Sequence, residues 1–180
     1  MAVFKRRGVP TQADFHAAIS ARADRWYAAC LNITRSPHLA EDAVQDGLLN
    51  AWRKREQFDA NARLDTWIHR IAINAALAIL RKGRPGMVEA LDAEIADESN
   101  SPVIATADEQ LAANLDQAMY CLSDTERVCF VLKHLEQWRL QEIADELDTG
   151  IGTVKQAIFR AVRKLRGKMG ALKSDYDEKL

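Results

Sequence analysis

The chain has 180 residues, of which 48% are hydrophobic, enough to bury the core of one domain or of two small domains. A formal net charge of −1 argues against nucleic-acid binding, but the charges are segregated along the chain. Residues 1–85 hold 14 Lys and Arg against 8 Asp and Glu, residues 86–126 hold none against 10, and residues 127–180 hold 11 against 8. Two basic ends around an acidic middle keep nucleic-acid binding open.

Three single cysteines, Cys30, Cys121 and Cys129, lie in apolar surroundings without paired spacing. This pattern is typical of reduced, buried thiols rather than of disulfides or a zinc site. The basic N-terminus lacks the apolar stretch of a signal peptide, and the most apolar run, residues 71–80, is too short to span a bilayer. The sequence therefore predicts a cytoplasmic protein without a metal or another cofactor.

Two helices are predicted before residue 58. The first covers residues 11–33, with an apolar stripe of Phe15, Ile19, Trp26, Cys30 and Ile33. The second starts with Ser36 as N-cap and Pro37 at the first position, and extends to about Gln57. Its inward residues are predicted to be Val44, Leu48, Ala51 and Trp52, and its outer face to carry Asp42, Gln45, Asp46, Leu49 and Arg53. Such a face is by default solvated, but a leucine protruding from it indicates a partner's surface.

A third helix is predicted after a polar loop, from a cap at Asp65 and Thr66 to about Lys82. Its predicted buried stripe is Ile68, Ile71, Ala72, Ala75 and Ile79. Another face carries Trp67, Arg70, Asn74 and Arg81. Cations that hold phosphates, an amide that reads a base edge and an aromatic ring for stacking indicate nucleic-acid binding. The alternative is that Trp67 belongs to the core and Asn74 is merely solvated.

The middle of the chain has a different composition. Residues 86–106 are acidic and contain Asn100-Ser101-Pro102 without a sustained apolar stripe, which predicts a flexible linker. From about Ala107, a new apolar stripe predicts the first helix of a second domain; its members are Leu111, Leu115, Ala118, Met119 and Leu122.

A helix-turn-helix is predicted downstream of this helix. Ser123 and Glu126 have the spacing of a capping box and open a helix that carries Val128, Val131, Leu132 and Leu135. A short helix over residues 140–147 is predicted to bury Ile143, Ala144 and Leu147. A turn over residues 148–150 then leads to a basic helix, the arrangement of DNA-binding helix-turn-helix motifs.

The basic helix is amphipathic, and its outer face points to DNA. Its core side holds Val154, Ile158, Ala161, Val162 and Leu165. Its outer side holds Lys155, Gln156, Phe159, Arg163 and Arg166, flanked by Arg160 and Lys164. No acidic residue occurs from Ile151 to Leu172, whereas a solvated face usually mixes signs. Cations around an exposed Phe suit a major groove, and Thr153 can cap the helix or donate to a phosphate.

The C-terminal motif resembles region four of bacterial sigma factors. The matching residues are Glu142-Ile143-Ala144, Leu147, Gly152-Thr153-Val154-Lys155 and Ile158-Phe159-Arg160-Ala161. The resemblance is to the extracytoplasmic-function (ECF) group of the sigma-70 family. It implies that this helix binds the minus-thirty-five promoter element through Thr153, Lys155, Gln156, Phe159, Arg160, Arg163 and Lys164.

The N-terminal half is similar to region two of the same family. Ala40-Glu41-Asp42-Ala43-Val44-Gln45-Asp46, Ala51-Trp52 and Phe58 carry the likeness for the second helix, and Thr66-Trp67 with Arg70-Ile71-Ala72 and Asn74 carry it for the third. The resemblance implies that Asp42, Gln45, Asp46, Leu49 and Arg53 bind core RNA polymerase. It implies that the minus-ten element is bound by Trp67, Arg70, Asn74 and Arg81, with Asn61, Ala62, Arg63 and Leu64 in a loop that holds a flipped-out base.

The sequence therefore predicts an all-α protein of two small helical domains joined by a flexible acidic linker. The predicted bounds are 11–85 for region two, 86–106 for the linker and 107–172 for the helix-turn-helix domain. The predicted function is promoter-specific transcription initiation with core RNA polymerase, without enzymatic activity and under the control of an anti-sigma factor. Two rival functions are a simple helix-turn-helix repressor or activator, and a sigma-like mimic that binds an anti-sigma protein without binding DNA.

Overall fold

The computed structural model describes residues 8–59, 62–83 and 118–177, with side chains described as far as Lys168. All regular structure in these residues is helical, which confirms the all-α prediction. Contacts divide the chain into two units, Met1–Pro85 and Gly86–Leu180. The predicted linker, 86–106, and the predicted start of the next helix at Ala107 lie outside the described residues.

The first unit consists of three helices: α1, Gln12–Thr34; α2, Pro37–Arg53; and α3, Leu64–Gly83. A capping box between Thr11 and Asp14 begins α1, and Arg35 ends it in a left-handed conformation with φ 56°. Ser36 caps α2 and Pro37 opens it, as the sequence predicts. A short 3-10 helix, Arg55–Gln57, follows α2, so the predicted extension to Gln57 is interrupted at Lys54.

The core of the first unit depends on small residues where α2 meets α3. Ala40, Ala43, Gly47 and Ala51 are the buried residues of α2. A Cβ on Gly47 would lie 2.6 Å from the Ala72 Cα, so only glycine allows this approach of the two backbones. Trp26, Ile33 and Leu77 supply the bulk of the core and are at most 1% exposed.

The buried face of α3 differs from the predicted stripe. Ile68 and Ala72 are buried as predicted, but Ile71, Ala75 and Ile79 are only half-buried. The other buried residues of α3 are Ile73, Ala76, Leu77 and Leu80. Because α3 contacts both α1 and α2, it buries a wider face than one stripe, and the apolar run from residue 71 to 80 has few polar residues to mark its rim.

The second unit contains short helices around a long one. The short helices are α4, Asp124–Phe130, which continues into a π-helical turn, Val131–Leu135, and α5, Leu140–Glu146. The long helix is α6, Ile151–Asp177. The capping box at Ser123 and Glu126 forms as predicted, and Ile143, Ala144 and Leu147 are buried as predicted. Asp148 turns the chain with φ 50°. The predicted capping role of Thr153 was wrong: α6 begins at Ile151, so Thr153 lies in its first turn rather than at its cap.

Candidate functional site

The outer face of α2 presents a polar surface around one leucine. Leu49 is 46% exposed, and Gln45, Asp46 and Arg53 are exposed beside it. Asp42 is half-buried, with its carboxylate 3.5 Å from the His38 ring, one turn earlier. The structure therefore brings together the five side chains that the sequence suggested as a docking face.

Trp52 belongs to this outer face, and its predicted inward position was wrong. The ring is 37% exposed and lies edge-on to Phe15, with centroids 5.1 Å apart. The Arg55 guanidinium stacks over the indole at 4.4 Å. The spacing of three residues from Leu49 and seven from Gln45 was the sequence signal for a shared face. Trp52 thus adds an aromatic side chain of the type that dominates protein interfaces.

The second candidate surface lies along α3. Arg70 and Arg81 are exposed, one near the middle and one near the end of the helix. Trp67 is half-buried, packs against the core and lies 5.3 Å from the Phe58 ring. Asn74 is half-buried, and its Oδ1 is buried without a hydrogen-bond donor among the described residues. Trp67 therefore anchors the start of the surface in the core, and the Asn74 amide oxygen retains capacity to accept a hydrogen bond.

An ion pair between Arg63 and Asp65 joins the segment just before α3 to the first turn of that helix. The Arg63 guanidinium donates from Nε and Nη2 to the two oxygens of Asp65, each at 3.0 Å. These hydrogen bonds are the main reason that the pKa of Asp65 is lowered, with burial opposing the shift. Ala62 is exposed, whereas Leu64 is the first residue of α3 and packs against the core. Asn61 lies outside the described residues.

The third candidate surface is the outer face of α6. Phe159 is 68% exposed, in spite of its size, among the exposed side chains of Lys155, Gln156 and Arg163. Together with the half-buried Arg160 they line a shallow groove. A second groove on the same helix runs past His134 at the end of the π-helical turn and includes Arg166. An apolar ring surrounded by cations is a surface that can meet both phosphates and a thymine methyl group.

Two residues of the predicted DNA face are partly covered by the domain itself. Thr153 is half-buried in the first turn of α6. The Lys164 ammonium donates to Oε2 of Glu126 at 2.9 Å, and the Lys164 side chain is 40% exposed. Glu126 is itself 3% exposed and caps α4. Lys164 therefore links α6 to α4, a role that no local sequence pattern indicated because the two residues are 38 positions apart.

Burial disfavours the reactive thiolate form of two of the three cysteines. Burial raises the pKa of Cys129 to about 12 and also raises that of Cys121. Among the described residues, no group of three or more His, Cys, Asp and Glu side chains is arranged to hold a metal. The helices in the described part of the chain are also too short or too polar to cross a membrane.

The chain matches two protein-family models, one in each of its two predicted domains and in the predicted order. Residues 19–85 match Sigma-70 region 2, and residues 112–165 match Sigma-70, region 4. It is 30% identical to the ECF RNA polymerase sigma factor SigW of Bacillus subtilis over an alignment of 158 positions, gaps included, which spans 81% of this chain and 83% of SigW. The chain belongs to the ECF RNA polymerase sigma factors.

Further relatives agree with this assignment. The ECF RNA polymerase sigma factor SigG of Mycobacterium tuberculosis is 30% identical over an alignment of 186 positions, gaps included, which spans 90% of this chain but only 49% of SigG. Among solved structures, the sigma factor RpoE of Bartonella quintana, crystallised with the anti-sigma factor NepR, has a TM-score of 0.59 and 25% identity. That similarity covers 87% of this chain and 97% of RpoE.

Membership in this family gives the chain its function, promoter-directed initiation of transcription. The three candidate surfaces lie on regions that the family match covers: α2 and α3 in region two, and the first half of α6 in region four.

Proposed function

We propose that this sigma factor docks on core RNA polymerase through the outer face of α2. The proposed contacts are Asp42, Gln45, Asp46, Leu49 and Arg53, to which the structure adds Trp52 as a candidate. The support is an exposed apolar pair, Leu49 and Trp52, among carboxylates and an amide. Such a mixture suits a partner surface that offers both cations and an apolar pocket.

We further propose that each domain reads one promoter element. The minus-ten surface comprises Ala62, Arg63, Leu64, Trp67, Arg70, Asn74 and Arg81, together with Asn61, which is assigned from its sequence position alone. The minus-thirty-five surface comprises Thr153, Lys155, Gln156, Phe159, Arg160, Arg163 and Lys164. The observation that carries this proposal is Phe159, which is 68% exposed within a helix face that has cations and no carboxylates.

The chain is proposed to act by binding rather than by catalysis, and to work in the cytoplasm together with the polymerase. We also propose regulation by an anti-sigma factor, by analogy with the complex of RpoE and NepR. Exposed apolar groups such as Leu49 and Phe159 are the proposed points of contact, because a protein that covers them also blocks polymerase or DNA.

Run-off transcription with purified core polymerase tests the proposal. A template library randomised at both promoter elements would be transcribed with and without the chain, and the transcribed templates sequenced. Enrichment of two separate elements only when the chain is present supports a sigma factor that reads both. Binding of the chain to DNA without core polymerase, together with no effect on initiation by core, would instead support the helix-turn-helix repressor or activator. Initiation without any sequence preference would contradict the DNA-reading surfaces.

A further inference from the structure

An ionic cluster at the start of α3 connects three parts of the first domain. Asp65 is its centre: both of its oxygens accept from the Arg63 guanidinium, and Oδ1 also accepts from the Thr66 N–H at 2.9 Å. The Nε of Arg22, on α1, lies 3.4 Å from Oδ2. One carboxylate therefore binds the segment before α3, the first turn of α3 and the middle of α1.

Exposure differs sharply within this cluster. The Asp65 side chain is 14% exposed, whereas the Arg63 side chain is 76% exposed. Arg22 lies between them at 45%. A bidentate pair fixes the plane of a guanidinium, because two parallel hydrogen bonds exclude rotation about either one. Asp65, which is itself largely covered, thus fixes the orientation of the exposed Arg63 side chain.

Arg63 retains hydrogen-bonding capacity beyond this pair. Its Nε and one Nη2 hydrogen are used by Asp65, and the described residues provide no other partner. The Nη1 group and the second Nη2 hydrogen can therefore donate to a base edge or a phosphate. With two arginines and one aspartate, the cluster also keeps a net positive charge.

We propose that Asp65, supported by Arg22, is a positioning residue that sets the base preference of the minus-ten surface by orienting Arg63. This inference deepens the proposed function and depends on Arg63 belonging to that surface. It assigns to Asp65 a role without DNA contact, and it assigns to α1 a part in promoter reading.

Removal of the Asp65 charge should change DNA affinity and base discrimination in opposite directions, which a purely structural role would not do. A carboxylate beside the DNA weakens the attraction of the surface for any phosphate, while its restraint on Arg63 sharpens discrimination between bases. Asp65→Asn removes the charge and one strong acceptor but keeps nearly the same shape. Affinity for scrambled DNA should rise about twofold while the preference for the best base falls about fivefold. Affinity and discrimination then change in opposite directions.

The experiment measures binding of reconstituted holoenzyme to fork-shaped promoter fragments, with each base of the minus-ten element varied in turn and a scrambled sequence as reference. Asp65→Asn is compared with Arg22→Gln and with Glu56→Gln. Glu56 is an exposed carboxylate in the turn after α2 without an ion pair among the described residues, so Glu56→Gln removes an equal charge nearby. Asp65→Glu restores the charge, and thermal melting of each variant reports folding.

The expected result is lower discrimination and higher affinity for scrambled DNA with Asp65→Asn, and a weaker change of the same kind with Arg22→Gln. Glu56→Gln should leave discrimination unchanged, and Asp65→Glu should recover part of it. Unchanged discrimination in a folded Asp65→Asn variant, or a parallel fall in both quantities, overturns the positioning role. A wild-type holoenzyme without any preference at this element contradicts the proposed function itself, and this is visible before any variant is measured.

Discussion

The two domains are stabilised in different ways, and helix length is the reason. In the first domain, α1, α2 and α3 have 23, 17 and 20 residues and pack through apolar and small side chains. In the second, α5 has seven residues, and α4 has seven before its π-helical turn. A helix of seven residues is unstable in isolation because the free-energy cost of nucleation exceeds the stabilisation from so few hydrogen bonds. Short helices therefore depend on caps and on contacts with the rest of the domain.

Buried polar groups show this dependence. The consecutive residues Thr125, Glu126 and Arg127 of α4 are 2%, 3% and 6% exposed. Glu126 caps its own helix and bonds to Lys164, and Arg127 pairs with Asp124. Thr34 is the corresponding buried polar residue in the described part of the first domain. We expect core variants to act through packing in the first domain and through polar contacts in the second.

The largest expected effect is on polymerase binding, which we assign to the first domain. Asp46→Arg should weaken binding to core polymerase by about 4 kcal/mol, because a reversed charge in a desolvated docking face meets like charges. The fold should be unchanged, since Asp46 is exposed. A fluorescence titration against core polymerase measures the loss. Asp24→Arg, at an exposed position on α1, is the matched control and should bind normally; equal affinity of both variants would remove Asp46 from the docking face.

Gly47→Leu tests the small-residue packing of the first domain. A Cβ at this position meets the backbone of Ala72 at 2.6 Å, so α2 and α3 must separate. The expected loss is about 3 kcal/mol of unfolding free energy, measured by urea denaturation. Gly83→Leu is the control, because a Cβ there meets no packing neighbour within 4 Å among the described residues. Similar losses for both variants would show that helix packing at Gly47 is not the limiting contact.

Glu126→Ala tests the polar contacts of the second domain. It removes the acceptor of the Ser123 N–H, which is one half of the capping box of α4, and it removes the partner of Lys164, so we expect a loss of about 2 kcal/mol of unfolding free energy. The remaining Lys164 side chain is 40% exposed, which keeps the loss below that of a fully buried unpaired charge. Asp145→Ala removes an exposed carboxylate that bonds only to Gln141 among the described residues, and it should cost a few tenths of a kcal/mol. Equal unfolding curves for the two variants would contradict the importance of buried caps.

Phe159→Ala tests whether one helix divides its two faces between stability and recognition. The ring is 68% exposed, so its removal should leave the melting temperature nearly unchanged while binding to the minus-thirty-five element weakens by about 1 kcal/mol. Val154→Ala, on the buried face of the same helix, should do the reverse and lower stability. Calorimetry together with holoenzyme binding to upstream-element DNA measures both. A destabilised Phe159→Ala variant would place Phe159 in the core.

Local signals in the sequence predicted most of the helices. Ser36 with Pro37, and Ser123 with Glu126, mark helix starts because caps depend on neighbours within one turn. The exposed position of Phe159 also followed from spacing along α6. The sequence failed where position depends on residues distant in the chain.

The failures have physical causes. Trp52 was predicted to face inward together with Val44, Leu48 and Ala51, but its ring is covered only in part, by Phe15 and Arg55. The π-helical turn after α4 has no sequence signal; it forms where the Glu136 N–H bonds to Val131 and the Trp138 N–H to Leu132. The pairs Arg22–Asp65 and Lys164–Glu126 join residues 43 and 38 positions apart, so neither could be inferred from periodicity.

Each domain of this sigma factor is proposed to read its own promoter element. The most direct test is run-off transcription on a library randomised at both elements, performed with the wild type, Asp65→Asn and Phe159→Ala, and followed by sequencing of the transcribed templates. We expect Asp65→Asn to relax the base preference at the minus-ten element alone and Phe159→Ala to relax it at the minus-thirty-five element alone. Either variant changing the other domain's element, or neither changing any preference, would contradict this proposal.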